Sequence, residues 1–291
     1  MRVGYVGRFA PSPSGRLHIG SLYTAAASYL DARAHGGRWL VRMEDLDRPR
    51  VVPGSAADIL ATLQRFGFQW DDEVEEQSRR TDRYAAALED LRARHLTFEC
   101  SCSRSQLEDD RYPGTCRVHP SDSGVATATR VRVEPRSILF TDRIQGGFRQ
   151  DVAATVGDML IRRRDRLFAY LLAVVVDDAA QGITHVVRGA DLLDNTPRQI
   201  YLQQLLGLPQ PSYAHVAVLV EPDGRKLAKS LRSMAADGEA LLPQLMRVFA
   251  LLGLDPPREL ACAAISEAWS WAVRHWDIAR VPKRLSLPMD R

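Results

Sequence analysis

PSPSGRLHIGS, at Pro11–Ser21, follows the apolar run Val3–Phe9 and leads into Leu17–Ala34, where Leu17, Leu22, Ala25, Ala26 and Tyr29 share one helical face. A strand that passes through a small-residue loop into a helix presents free backbone N–H groups and the positive end of a dipole. That arrangement suits a phosphate. Ser14, Gly15 and Gly20 let a ligand approach the backbone, and His18 can donate to a phosphate oxygen. His-x-Gly by itself is more often structural; behind Arg8-Phe9-Ala10-Pro11-Ser12-Pro13-Ser14-Gly15 it is a strong signal. A second segment, KLAKS at Lys226–Ser230, puts two of the chain's three lysines in one loop. The two segments read as halves of one nucleotide site that activates a carboxylate with ATP.

Outward from this loop the order is strand, helix, strand, helix. Trp39–Met43 is a strand ending in the acidic turn Glu44-Asp45-Leu46-Asp47, and Ser55–Phe66 and Thr81–His95 are helices opened by N-capping residue types. The alternation predicts an α/β fold with a parallel sheet and crossover helices. The rhythm breaks between Cys100 and about Gly147, where Pro113-Gly114 and the β-like stretches Thr129–Val133 and Ile138–Thr141 read as an insertion. Order returns with Met159–Arg162, the apolar run Leu167–Val176 with a strand end at Val174–Val176, Thr184–Val187, the helix Pro197–Leu206 and the strand Val216–Val220. Ala235–Arg274 is mostly helical by spacing, with Cys262 in its core. Four segments result: 1–99, 100–150, 151–234 and a helical 235–291.

Apolar content of 45% and charged content of 26% over 291 residues are those of a soluble globular protein. No run reaches the ~18–20 apolar residues of a membrane span, and Met1-Arg2-Val3 does not open a signal peptide, so a cytoplasmic protein is expected. A monomer is the expectation for its assembly, though no residue pattern argues it. A net charge of +3, almost all arginine on the positive side, permits an RNA partner without demanding one. For the run Arg162, Arg163, Arg164, Arg166 a solvated face is the more frequent cause, so it gives an RNA partner only weak support. Trp269, Trp271 and Trp276 read as helix-packing residues rather than base-stacking ones. His35, His95, His185, His215 and His275 have no defensible partner spacing.

Cys100-x-Cys102 and Cys116 form a second constellation. In a cytoplasmic protein, close cysteines favour metal over disulfide, and tetrahedral zinc needs a fourth ligand. Tyr112 and His119 are the candidates, and general ligand preference favours the histidine. One zinc here would be structural, stapling an insertion too small for a good core.

GRFAPSPSGRLHIG (Gly7–Gly20), VRMEDLD (Val41–Asp47), GITHVVRGADLLDNTPRQ (Gly182–Gln199) and KLAKS occur in the order and spacing of class I glutamyl-tRNA synthetases, which the chain resembles over about Gly7–Ser230. The resemblance implies a Rossmann-type catalytic domain, an acceptor-stem-binding insertion, and catalytic roles for His18, Lys226 and Lys229. It implies an ATP site at Ser14, Gly15, His18, Gly20, Ser21 and Lys229, with Mg²⁺ bridging the phosphates. Departures are Ser21 in place of histidine, Ala228 in place of a hydroxyl residue, and Val174 where full-length members carry asparagine. Only 231–291 follows the lysine loop, with no anticodon-binding domain, which is similar to the truncated branch of the family that glutamylates queuosine in tRNA(Asp). That branch has a Cys-x-Cys…Tyr-x3-Cys pattern, which implies Tyr112 as the fourth zinc ligand. The resemblance also makes Asp177-Asp178 a strand end and helix cap near ATP.

L-Glutamate has one ammonium and two carboxylates, so its pocket needs a buried acid and at least two cationic or hydroxyl donors. Arg8, Ser12, Glu44, Tyr170 and Arg188 supply that set, and each matches a substrate-binding position of the family, with Phe9, Ala10 and Pro11 as backbone neighbours. Glu44 is the candidate for the ammonium, Arg188 for the α-carboxylate, and Arg8 with Tyr170 for the side-chain carboxylate. The expected partners are glutamate, ATP and tRNA(Asp) bearing queuosine. Charging of the CCA end, or a silent RNA-binding paralogue, are the competing readings.

Overall fold

The computed structural model describes residues 4–103, 106, 111–119, 124–222, 224–225 and 241–289. The KLAKS loop, with Lys226 and Lys229, lies outside the described residues. Strand β1 (Val6–Phe9) leads into helix α1 (Ile19–Ala34), β2 (Arg38–Met43), α2 (Ser55–Arg65), β3 (Glu75–Glu76) and α3 (Thr81–Ala93). The parallel order β1-β2-β3 is the crossover sheet that the strand–helix alternation predicts. A second parallel pair, β9 (His185–Gly189) with β10 (Ser212–Val216), lies beside β1. Thr184 ties the two together, its N–H donating to the Val6 carbonyl at 2.9 Å and its hydroxyl accepting from the Val6 N–H at 2.8 Å.

The interrupted segment folds as antiparallel structure. Strands β4 (Thr97–Cys100), β5 (Ala128–Val131) and β8 (Met159–Arg162) form one sheet, and β6 (Ser137–Asp142) with β7 (Gly146–Asp151) forms a hairpin. Short helices α4 (Thr115–Val118) and α5 (Val152–Thr155) complete it. Val216–Val220 is not one strand: β10 ends at Val216, and β11 (Val218–Val220) pairs in parallel with β12 (Ser286–Pro288).

Two further expectations are corrected. The run Leu167–Val176 does not end as a strand; Tyr170–Ala180 is helix α6, in which every residue from Leu172 to Asp178 is buried. A helix buried all round carries no period to separate it from a buried strand, so its valines mislead. Cys262 is exposed, in a 3-10 turn Arg258–Cys262 rather than a core. Trp269 is buried as expected, in the aromatic cluster of Tyr29, Trp39 and Phe68 that joins α1 to α8 (Leu241–Leu251) and α9 (Ile265–His275). Helix α7 (Thr196–Leu206) packs with α6 in a second core on the other face of the sheet.

Candidate functional site

The C-terminal ends of β1, β2 and β9 open into one cavity of about 760 Å³. This is where parallel sheets leave room for ligands, because their loops diverge at that edge. Arg8, Phe9, Ala10, Pro11 and Ser12 line it from β1, Glu44 from β2, Tyr170 from the start of α6, and Arg188 from β9. Ser14, Gly15, His18, Gly20 and Ser21 line the same cavity from the loop and first turn of α1. The described residues thus bring together all the positions expected for amino acid and nucleotide, the two lysines apart.

The loop is held by its own backbone and by α2. Ser14 N–H donates to the Ser12 carbonyl at 2.8 Å, and Ser55 Oγ both accepts from Gly15 N–H at 3.0 Å and donates to its carbonyl at 2.9 Å. Gly15 has φ of +140°, a region costly for any side chain. His18 caps α1, its Nδ1 accepting from Ser21 N–H at 3.2 Å. A Cβ on Gly20 would stand 3.1 Å from that Nδ1, so glycine there makes room for the ring.

Charge is concentrated behind the cavity wall formed by Arg8 and Glu44. Burial pushes the Glu44 carboxyl up to about 7, against the pull of Arg42 and Arg8. Arg42 Nη2 lies 3.5 Å from Glu44 Oε1 and donates to Asp178 Oδ1 at 2.8 Å. Asp178 also accepts from Arg8 Nε at 3.3 Å; burial raises this carboxyl, but Arg8 and Arg42 together hold it below its usual range. Asp177 accepts from Arg80, Gln77 and Tyr84. These two aspartates lie within α6 and support the arginines from behind, which corrects their placement as a strand end and helix cap. Val174, one turn after Tyr170, is 1% exposed in the second core and does not line the cavity.

Arg188 is gripped on one edge. Its Nε donates to His215 Nε2 at 3.1 Å and its Nη2 to Thr196 Oγ1 at 2.9 Å. Nη1 is buried and has no hydrogen-bond partner among the described residues. His215 has partners after all, since its Nδ1 lies 2.6 Å from Asp142 Oδ2. Burial lowers the His215 pKa, consistent with a neutral ring.

The family described as tRNA synthetases class I (E and Q), catalytic domain, matches residues 5–270. The chain belongs to this class I synthetase family. Glutamyl-Q tRNA(Asp) synthetase of Pseudomonas aeruginosa is 56% identical over 100% of both chains, and that of Thiobacillus denitrificans is 54% identical over 95% of both. The fold is similar to that of glutamate-tRNA synthetase from Elizabethkingia anophelis, with a TM-score of 0.80 at 24% identity, covering 97% of this chain and 67% of that one. As a class I synthetase the protein is a ligase.

A second centre in this synthetase lies in the antiparallel part. The sulfurs of Cys100, Cys102 and Cys116 all lie within 4.8 Å of one another, and Cys102 and Cys116 approach to 3.4 Å. Tyr112 is buried beside them, its hydroxyl accepting from Cys116 N–H at 2.7 Å, whereas His119 is exposed. Burial and the neighbouring Cys116 and Cys100 thiols push the Cys102 thiol up to about 11. Arg130 donates to Cys100 Sγ at 3.3 Å and lies 3.9 Å over the Tyr112 ring, a positive charge suited to an anionic ligand set.

Sequence reasoning missed the supports of the site rather than its lining. Arg42 stands in the quoted VRMEDLD stretch, two residues before Glu44, and that same-face spacing on β2 was a usable signal. Asp142 and His215 had none, because only the β9–β10 register sets His215 opposite Arg188.

Proposed function

We propose that this synthetase activates L-glutamate with ATP and Mg²⁺ and transfers the glutamyl group to the queuosine base of tRNA(Asp). The observation that carries the glutamate reading is the buried Nη1 of Arg188 at the cavity wall, a cationic donor with no partner among the described residues and suited to an anion. The α-carboxylate answers it, Glu44 takes the ammonium, and Arg8 with Tyr170 takes the side-chain carboxylate. The bound α-carboxylate then attacks the α-phosphorus of ATP; a P–O bond forms, the bond to the bridging oxygen breaks, and pyrophosphate departs with its electron pair. His18 and the N-terminus of α1 hold phosphate oxygens, and Lys226 and Lys229 stabilise charge on the pyrophosphate. The names of the 56% and 54% identical relatives support the acceptor.

One structural zinc at Cys100, Cys102, Cys116 and Tyr112 completes the reading, since Tyr112 and not His119 stands beside the thiols. Among the described residues no helix is long and apolar enough to cross a membrane. The test is radiolabelled glutamate with ATP and tRNA(Asp) with or without queuosine, followed by periodate. Label only on queuosine-bearing tRNA supports the proposal; label on the CCA end of tRNA(Glu) overturns the acceptor.

A further inference from the structure

The hairpin of β6 and β7 lines no part of the cavity, yet its Asp142 reaches the edge of the site through one ring. Asp142 Oδ1 accepts three backbone N–H groups, from Ile144 at 3.0 Å, Gln145 at 2.8 Å and His215 at 3.1 Å. That fixes the carboxylate, so Oδ2 faces His215 Nδ1 in one orientation. Both side chains have no solvent exposure.

The proton positions follow from valence. The arginine Nε has a hydrogen to give and no lone pair to offer, so His215 Nε2 must accept. The ring is then neutral, with its one proton on Nδ1, donated to Asp142. Thr196 Oγ1 fixes a second nitrogen of the guanidinium. Because that group is planar, tying Nε and Nη2 also sets the direction of Nη1, the nitrogen without a partner among the described residues.

We infer that Asp142 and His215 are positioning residues for amino-acid binding: the carboxylate sets the histidine tautomer, and the tautomer aims Arg188 into the cavity. The inference rests on the reading of Arg188 as the α-carboxylate ligand. Asp142→Asn is the informative change. The amide oxygen can keep the three backbone bonds, but its NH₂ now faces Nδ1. The ring must move its proton to Nε2, and donor then meets donor at Arg188. His215→Gln keeps one acceptor and one donor at nearly the ring's nitrogen spacing and should rescue most of the function.

The experiment measures glutamate binding by calorimetry and the ATP KM of pyrophosphate exchange, each in Asp142→Asn, His215→Gln, His215→Leu and Arg188→Ala. We expect Asp142→Asn and His215→Leu each to weaken glutamate binding about 10- to 100-fold, the range for a hydrogen bond to a charged group. The ATP KM stays within about twofold, because the triphosphate end is untouched, and His215→Gln lies near native. The double variant Asp142→Asn/His215→Leu should be no worse than the weaker single, since both act through one ring. Native glutamate affinity in Asp142→Asn, with Arg188→Ala defective, overturns the positioning role and leaves the carboxylate site standing. Native affinity in Arg188→Ala as well overturns the assignment of Arg188. Should Asp142→Asn not fold, equal losses in His215→Gln and His215→Leu overturn the inference instead.

Discussion

Lowering the pH from 8 to 6 should weaken glutamate binding about tenfold, through one carboxyl. Glu44 sits just past β2 with its side chain 10% exposed, and burial holds its carboxyl at about 7. An ammonium binds the carboxylate and not the acid. The site competent to bind is therefore the ionised fraction, about nine-tenths at pH 8 and about one-tenth at pH 6, and the apparent dissociation constant scales with its inverse. The sign is definite: affinity falls with falling pH, and each binding event at pH 6 releases nearly one proton. Glutamate's own charges do not change across this window. Calorimetry in two buffers of different ionisation enthalpy reads both the constant and the released proton. Glu44→Gln should bind glutamate more weakly at pH 8 and show no slope. A flat native profile between pH 6 and 8, or a slope that survives in Glu44→Gln, would refute the assignment of the ammonium to this residue.

Lys229→Ala should lower pyrophosphate exchange by about 10²–10³-fold with the melting temperature unchanged, as for loss of one group that stabilises developing charge; native exchange would remove the lysine from the mechanism. Protein purified without chelator should carry about one zinc, and Cys116→Ser should lose both metal and thermal stability, checked by elemental analysis and calorimetry. Val174→Asn should cost about 1–3 kcal/mol in urea unfolding, since it buries an amide among apolar side chains, and should leave the glutamate KM unchanged. A lower KM at native stability would put that side chain back at the substrate.

Much of the site was legible because it hangs on continuous segments. Arg8 to Ser21 carries strand end, loop and helix cap within one stretch, so residue order alone brings them to one cavity. Tyr112 was not legible in that way: residue type alone favours His119 as a ligand, and only the family pattern pointed to the tyrosine four residues before Cys116. What failed depended on information that local order does not hold. Leu172–Val176 is apolar without a gap, and only its packing between α3, α7 and the sheet makes it helix rather than strand. His215 looked solitary because its partners Thr196, Arg188 and Asp142 lie 19, 27 and 73 residues away in the chain. The supports of a binding site come from neighbouring strands and are set by register, so a linear reading finds the contacts and misses what aims them.

The pairing of Ser286–Pro288 with β11 has a practical side. Val218 and Leu219 form part of the cavity wall, and Leu285 and Met289 bracket that strand with backbone bonds at 2.9 Å. A purification handle, fluorescent reporter or surface tether joined beyond Met289 would therefore tug on the pocket itself. Immobilisation chemistry is better directed to the exposed thiol of Cys262, which belongs to neither strand of that pair.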